Sequence, residues 1–350
     1  MEQRINYQNQ NVYVGIDVHK RTYSLSCIHE GALVKRATIK AEAAGLVSFL
    51  RKFFIGARVH CAYEAGFSGF GLHRHLESEG IDSIVVNPAS IEISSRDKVK
   101  TDKRDSLKIA TQLAAGRLRA IAVPSYKQEL MRLVTRTREQ LVSEKTRLGQ
   151  QIKSRLFQFG LIGADDRRVM SEAFIDDYLA RKLPEELHDA ITLLAKLWRV
   201  VNDEVNAYRG KLAKQAKEDA RIEAVYRSVP GIGPIASRTL ANELGDMSDS
   251  KNVRGLNSFI GFTPSEHSSG NNRRLGHITK QGSARLRWIL TEAAWRAIKK
   301  DPRLQSDFNR ISLRAGKKRA IVAIARKLAV SIRACFQKKE FYQLDFGLAA

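Results

Sequence analysis

The chain has 350 residues, room for two or three domains of about 150 residues each, so a disulfide- or metal-stapled mini-fold is excluded. Its 60 Lys and Arg against 37 Asp and Glu leave a formal net charge of +23, and with 43% hydrophobic residues it reads as a soluble globular protein needing a polyanionic partner. No run of 18 apolar residues is present, the opening MEQRINYQNQNVY lacks the apolar core of a signal peptide, and Cys27, Cys61 and Cys335 lie far apart; a cytoplasmic protein without membrane partner, disulfide framework or structural zinc is expected.

In chain order, Val12–Asp17, Tyr23–Ile28 and Leu33–Ile39 read as three strands with short connections, most simply an antiparallel meander. The period then changes: helix over Ala41–Phe54, strand over Val59–Tyr63, helix over Phe67–Glu79, strand over Ile81–Val86. That order predicts a mixed sheet with helices on its faces. A further helix is expected from Thr101 to Leu118, and Pro124 punctuates the unit. Tyr126–Phe159 is helical in pattern, with Val134, Leu141 and Leu148 seven apart. Leu187, Ile191, Leu194, Trp198, Val201, Val205, Tyr208 and Leu212 alternate spacings of four and three, a heptad seam opening just after Pro184. Helices this long must lay their apolar stripe on each other or on a second subunit, so a coiled-coil arm that also dimerises is expected. The last third reads as all-helical and basic: the turn Val229–Pro234, a helix bearing Leu240 and Leu244, a Gly/Ser/Asn-rich loop over Gly261–Gly276, then helices over Ser283–Lys299 and Lys317–Phe336.

The basic surplus is concentrated. Asn271–Glu340 holds 19 Lys or Arg against 4 acids, and Arg96–Gly160 holds 16 against 6. Clusters of this kind neutralise phosphates with counterion release, so nucleic acid is the first partner expected, ahead of merely solvated helix faces or an anionic membrane. Four acids stand out by position: Asp17 ends the first strand, Glu64 follows the fourth, and Asp102 and Asp105 share one face of a helix start. Carboxylates at strand ends that converge with a helix repel unless a cation sits among them; oxygen ligands suit Mg²⁺ or Mn²⁺, and two ions about 3.5–4 Å apart serve phosphodiester chemistry. The competing reading makes Asp102 and Asp105 first-turn acids pairing with the helix dipole, and Asp17 a turn residue. Gly231 and Gly233 in Pro230-Gly231-Ile232-Gly233 would let backbone N–H groups approach a phosphate, or simply form a Pro-Gly turn. The loop around Ser268 and Ser269 offers a hydroxyl nucleophile amid cations, or two turn serines.

These residues also carry a resemblance. Val14-Gly15-Ile16-Asp17-Val18-His19-Lys20, Tyr63-Glu64-Ala65, Val99-Lys100-Thr101-Asp102-Lys103-Arg104-Asp105, the Pro-Gly-Ile-Gly turn, and Gly261-Phe262-Thr263-Pro264 through Ser268-Ser269-Gly270 to Gly276-His277-Ile278-Thr279-Lys280-Gln281-Gly282 follow the order seen in DEDD transposases of the insertion-sequence-110 type, which the chain resembles from Val12 to Phe336. The resemblance implies an α/β plus all-α architecture. A RuvC-like, ribonuclease H-type mixed-sheet domain would occupy residues 1–124, a coiled-coil dimerisation domain 125–222, and a mostly helical transposase domain 223–350. It implies that Asp17, Glu64, Asp102 and Asp105 bind Mg²⁺ and that Ser269 is the nucleophile forming a phosphoserine link to DNA. It further implies a homodimer or homotetramer, double-stranded donor and target DNA, and a structured noncoding guide RNA whose pairing selects sequence while basic surfaces grip backbones. Arg273, Arg274, Lys280, Arg285 and Arg287 are then candidate phosphate clamps, with His267 a candidate proton carrier. Asn271, Asn272 and Gln281 depart from the family's commoner residues, and Ser268 competes with Ser269 for the nucleophile's place. The alternatives are a RuvC-like Mg²⁺-dependent nuclease or junction resolvase with water as nucleophile, and a non-catalytic nucleic-acid-binding scaffold.

Overall fold

The computed structural model describes residues 7–92, 101–248, 252–266, 268–269, 272 and 274–344, which form two compact units divided after Val123. The first opens with β1 (Asn11–Val18), β2 (Thr22–His29) and β3 (Ala32–Lys40), then α1 (Ala43–Phe53), β4 (Arg58–Glu64), α2 (Gly71–Ser78), β5 (Asp82–Val86) and α3 (Asp102–Ala114). The sheet order is β3-β2-β1-β4-β5, antiparallel through the first three strands and parallel from β1 to β4 to β5. The expected mixed sheet is therefore present.

Its two faces differ in volume. Val14 and Ile16 of β1, Leu25 and Cys27 of β2 and Cys61 and Tyr63 of β4 share one face, where they bury against Leu46, Val47 and Leu50 of α1 and Leu72 and Leu76 of α2. The other face presents Gly15, Ser24, Ser26 and Ala62, side chains too small to hold a helix at ordinary distance. Helix α3 sinks onto them. A Cβ on Gly15 would stand 2.1 Å from the Ser106 carbonyl oxygen and 2.4 Å from the Ala110 nitrogen, and Ser26 and Ser106 hydroxyls meet at 2.9 Å in the buried seam.

The second unit contains α4 (Tyr126–Gln158), α5 (Glu172–Leu179), α6 (Glu185–Glu218), α7 (Ala220–Ser228), α8 (Pro234–Leu244), α9 (Val253–Ile260), β6 (Pro264–Glu266), β7 (Leu275–Ile278), α10 (Ala284–Ala297), α11 (Pro302–Ala315) and α12 (Lys317–Lys338). Helix α4 starts where Ser125 accepts a hydrogen bond from the Gln128 N–H. Lys145 on α4 donates to Asn202 on α6 at 2.6 Å, and seven residues earlier Arg138 lies near Arg209, seven residues later, so the two long helices run antiparallel. Leu187, Ile191, Trp198, Val205 and Leu212 of the heptad seam are buried, with Ala195 beside them in place of the half-buried Leu194. A second stripe of α6, Leu193, Leu197 and Val200, stays exposed.

At the base of this hairpin a buried acid ties three helices together. Glu243 of α8, 3% exposed, receives a two-pronged bond from Arg136 of α4 at 2.9 and 3.0 Å and lies 3.4 Å from Arg285 of α10. Arg132 donates to the Glu243 carbonyl at 2.7 Å. A carboxylate this buried depends on such pairing. The loop expected over Gly261–Gly276 departs from an all-helical reading: β6 and β7 pair there as an antiparallel hairpin. No described helix is long and apolar enough to cross a membrane.

Replacing Gly15 with alanine forces α3 off the sheet, and overpacking of this kind costs about 1–3 kcal/mol. Urea unfolding of Gly15→Ala should show that loss, with faster amide exchange over residues 102–114. An unchanged midpoint would mean that α3 does not rest on Gly15.

Candidate active site

The seating of α3 decides where the acids go. Asp17 lies two residues beyond Gly15 on the same face, and Asp102 and Asp105 occupy the first turn of α3. The parallel register pairs Ile16 with Tyr63, so Glu64, the last residue of β4, stands one position further on, on the strand next to Asp17. Asp17, Asp102 and Asp105 are thus brought together at the carboxyl end of β1, with Glu64 at the end of its neighbour.

The site's electrostatics point one way. Burial pushes the Asp17 carboxyl above its ordinary range, Asp102 and Asp105 push it further, and only His19 opposes them. His19 Nε2 lies 3.2 Å from Asp17 Oδ2, within hydrogen-bond reach, and 3.2 Å from Asp102 Oδ2, so the ring stands between the two carboxylates. Lys108 Nζ lies 3.5 Å from Asp105 Oδ1. Asp17, Asp102 and His19, whose ligand atoms lie within 4.8 Å of one another, form a donor set that a divalent cation would relieve, with Asp105 close enough to raise the Asp17 carboxyl further. His19 is the member sequence reasoning left out of the site. Its signal was available: two residues past Asp17 on an extended chain is the same side.

In the second unit, Ser268 and Ser269 lie between β6 and β7. The Ser268 hydroxyl donates to Glu266 Oε1 at 2.8 Å and accepts from the Arg274 N–H at 3.1 Å. Ser269 exchanges both backbone bonds with Asn272, at 3.3 and 3.2 Å, and is exposed. One serine is tied into the hairpin by its side chain and the other by its backbone.

The remaining predicted contacts fall in different places. Arg274 and Lys280 are exposed. Arg285 pairs with Glu139 and Glu243, and Arg287 donates to the Ile260 and Gly282 carbonyls at 2.9 and 3.0 Å, so both serve packing within the unit. Gly231, at φ +90°, abuts α10, where a Cβ would stand 2.5 Å from the Ala293 carbonyl oxygen; Gly233 has open space at the start of α8. Arg273 and His267 lie outside the described residues, as do Val99 and Lys100.

Comparison with known proteins identifies the family. Residues 14–160 match the family model of the DEDD transposase of IS110 type, and residues 224–309 match the Transposase IS116/IS110/IS902 family. Putative transposase y4qE of Sinorhizobium fredii (strain NBRC 101917 / NGR234) is 30% identical over 290 residues, spanning 82% of this chain and 72% of its own. The transposase for insertion sequence element IS1533 of Leptospira borgpetersenii is 28% identical, spanning 94% and 96%. The transposase for insertion sequence element IS1111A of Coxiella burnetii (strain RSA 493 / Nine Mile phase I) is 27% identical, spanning 94% and 91%. With both units matched and a 30% identical relative overlapped for most of its length, the chain belongs to the IS110-type DEDD transposases and is a DNA transposase enzyme of that family.

Proposed function

We propose that this transposase cuts and rejoins DNA strands through a phosphoserine intermediate, with Asp17, Glu64, Asp102 and Asp105 holding Mg²⁺ and Ser269 as nucleophile, guided by a structured noncoding RNA. The observation that carries the metal assignment is the convergence of Asp17, His19 and Asp102, whose ligand atoms lie within 4.8 Å of one another, at a carboxyl that burial first and the neighbouring Asp102 and Asp105 second lift above its ordinary range. Membership in a DEDD family implies a divalent metal, and the donor set fits one. When bound, such an ion supplies Lewis acidity at a phosphoryl oxygen and neutralises developing charge.

The chain's own residues do the rest. Ser269 Oγ attacks phosphorus and loses its proton, while the DNA 3′ oxygen departs with the electron pair of the broken P–O bond and gains a proton, leaving a serine phosphodiester and a free 3′-hydroxyl; the 3′-hydroxyl of another strand reverses the step. Exposed Arg274 and Lys280 steady the phosphate. The two bonds made by the Ser268 hydroxyl favour Ser269 as the attacking group, because a hydroxyl tied to Glu266 and Arg274 must first break them. The guide RNA rests on the family resemblance and on a net charge of +23 that accommodates two polyanions. A homodimer or homotetramer is supported by the exposed Leu193, Leu197 and Val200 stripe, a second apolar face on a helix whose first is already buried.

Three measurements test this. Ser269→Ala should abolish the covalent protein–DNA adduct on denaturing gels while RNA binding persists, and Ser268→Ala should retain the adduct; an adduct on Ser269→Ala sinks the serine assignment, and hydrolysis without any adduct in the parent favours water as nucleophile. In metal-free protein the raised Asp17 carboxyl favours the fold below pH 3.8, its ordinary value, and that contribution is lost as pH rises through the raised one. Asp17→Asn should therefore flatten the fall in Tm above pH 3.8 and remove the Tm gain on adding Mg²⁺; a Mg²⁺ gain that survives the substitution contradicts the metal site. Leu193→Glu with Leu197→Glu should shift the sedimentation profile towards monomer, and an unchanged profile removes α6 from the subunit contact.

A further inference from the structure

A groove of about 1640 Å³ runs through the second unit between β7, the start of α11 and one stripe of α12. Single small molecules occupy about 300–1,000 Å³, so this one suits a length of polymer. Its floor is apolar and half-buried, built from Ile278, Val322, Val330 and Tyr342. Its rim is cationic, with Lys280, Arg303, Lys317, Lys318, Arg319 and Arg326.

Three of the charges on that rim, at the start of α12, are poorly matched to their own chain. Lys317, Lys318 and Arg319 form the first turn of α12, the helix end where positive charge is disfavoured; that turn contains no acid, and no acid among the described residues pairs with them. The two acids that line the groove are already engaged. Asp301 accepts from the Tyr342 hydroxyl at 2.5 Å and from the Leu304 N–H at 3.1 Å, and Asp307 holds Lys327 and Arg310. An anionic polymer relieves this arrangement.

We propose that the groove binds unpaired nucleotides of a nucleic-acid strand, bases against the apolar floor and phosphates along the rim. A duplex keeps its bases stacked inside and would meet only the rim, leaving the floor unused; splayed bases use both. The groove is continuous in sequence with the candidate nucleophile, since its Gly276, His277 and Ile278 belong to β7, the strand paired with β6 beside Ser269. The proposal names a substrate feature of the transposase described above and rests on that reading only for which strand the occupant belongs to.

The test is equilibrium binding of the full-length protein in EDTA, so it is independent of cleavage and of Ser269. Fluorescently labelled 12-nucleotide DNA and RNA single strands, the same strands with abasic sites, and a 12-base-pair duplex serve as probes. An intact strand should bind about tenfold more tightly than its abasic counterpart, the scale of one stacked base. Val322→Asp with Val330→Asp should erase that difference and leave duplex affinity within about twofold, a change well under 1.4 kcal/mol. Ala323→Trp, which fills the groove without adding charge, should do the same and guards against a folding defect in the first variant. Tighter binding of the RNA strand assigns the occupant to RNA, and of the DNA strand to DNA; either upholds the proposal. Equal binding of intact and abasic strands, an intact-strand advantage that survives both variants, or equal displacement by poly-glutamate of matched charge overturns it. A parent protein that cleaves DNA without forming any covalent adduct, with these affinities unchanged, would overturn the reading of the reaction alone.

Discussion

Everything in the amino-terminal unit depends on one steric permission: the absence of a side chain at Gly15. Because Ser24, Ser26 and Ala62 are also small, the backbone of α3 comes into direct contact with the sheet, and the first turn of that helix arrives at the end of β1. Interiors are close-packed and tolerate no gap or intrusion cheaply, so the position of Asp102 and Asp105 relative to Asp17 is fixed by backbone packing. The larger apolar cluster lies on the other face, while on this one Val86 and Ile84 of β5 pack with Ile109 and Leu113 of α3 beside the small residues. The chemistry thus sits on the thinner of the sheet's two packed faces.

The consequence is stored electrostatic conflict. Carboxyls that would repel in solution are held together by the packing of α3; burial lifts the Asp17 carboxyl above its ordinary range, and Asp102 and Asp105 add to that lift. The second unit handles acids differently. Glu243 is more deeply buried than Asp17, yet Arg136, Arg132 and Arg285 surround it, so it fastens α8 to α4 and α10. Unlike charges make a fastening, and like charges make a place for a cation.

The strands of the first sheet were legible because their apolar runs are punctuated by turns, and β1 extends only one residue beyond each end of the expected Val12–Asp17. The long helices were legible from their seams. Helices α5 and α9 were not, being only eight residues each, and neither was α11, whose fourteen residues bury Leu304 alone and so show little apolar periodicity. The β6–β7 hairpin lies in a segment whose Gly, Ser and Asn content masks its pairing. Of the site, the acids were legible by position at strand and helix ends. The engagement of Arg285 was not, because its partners Glu139 and Glu243 lie 146 and 42 residues away and nothing in the local sequence announces them.

The three carboxyls at the end of β1 are not equally free. Side chains of Asp17 and Asp105 are 22% and 18% exposed, while that of Asp102 is 60% exposed. Were a cation held among them, adjustment to its radius would fall chiefly on Asp102, the one arm that the surrounding packing leaves free to turn.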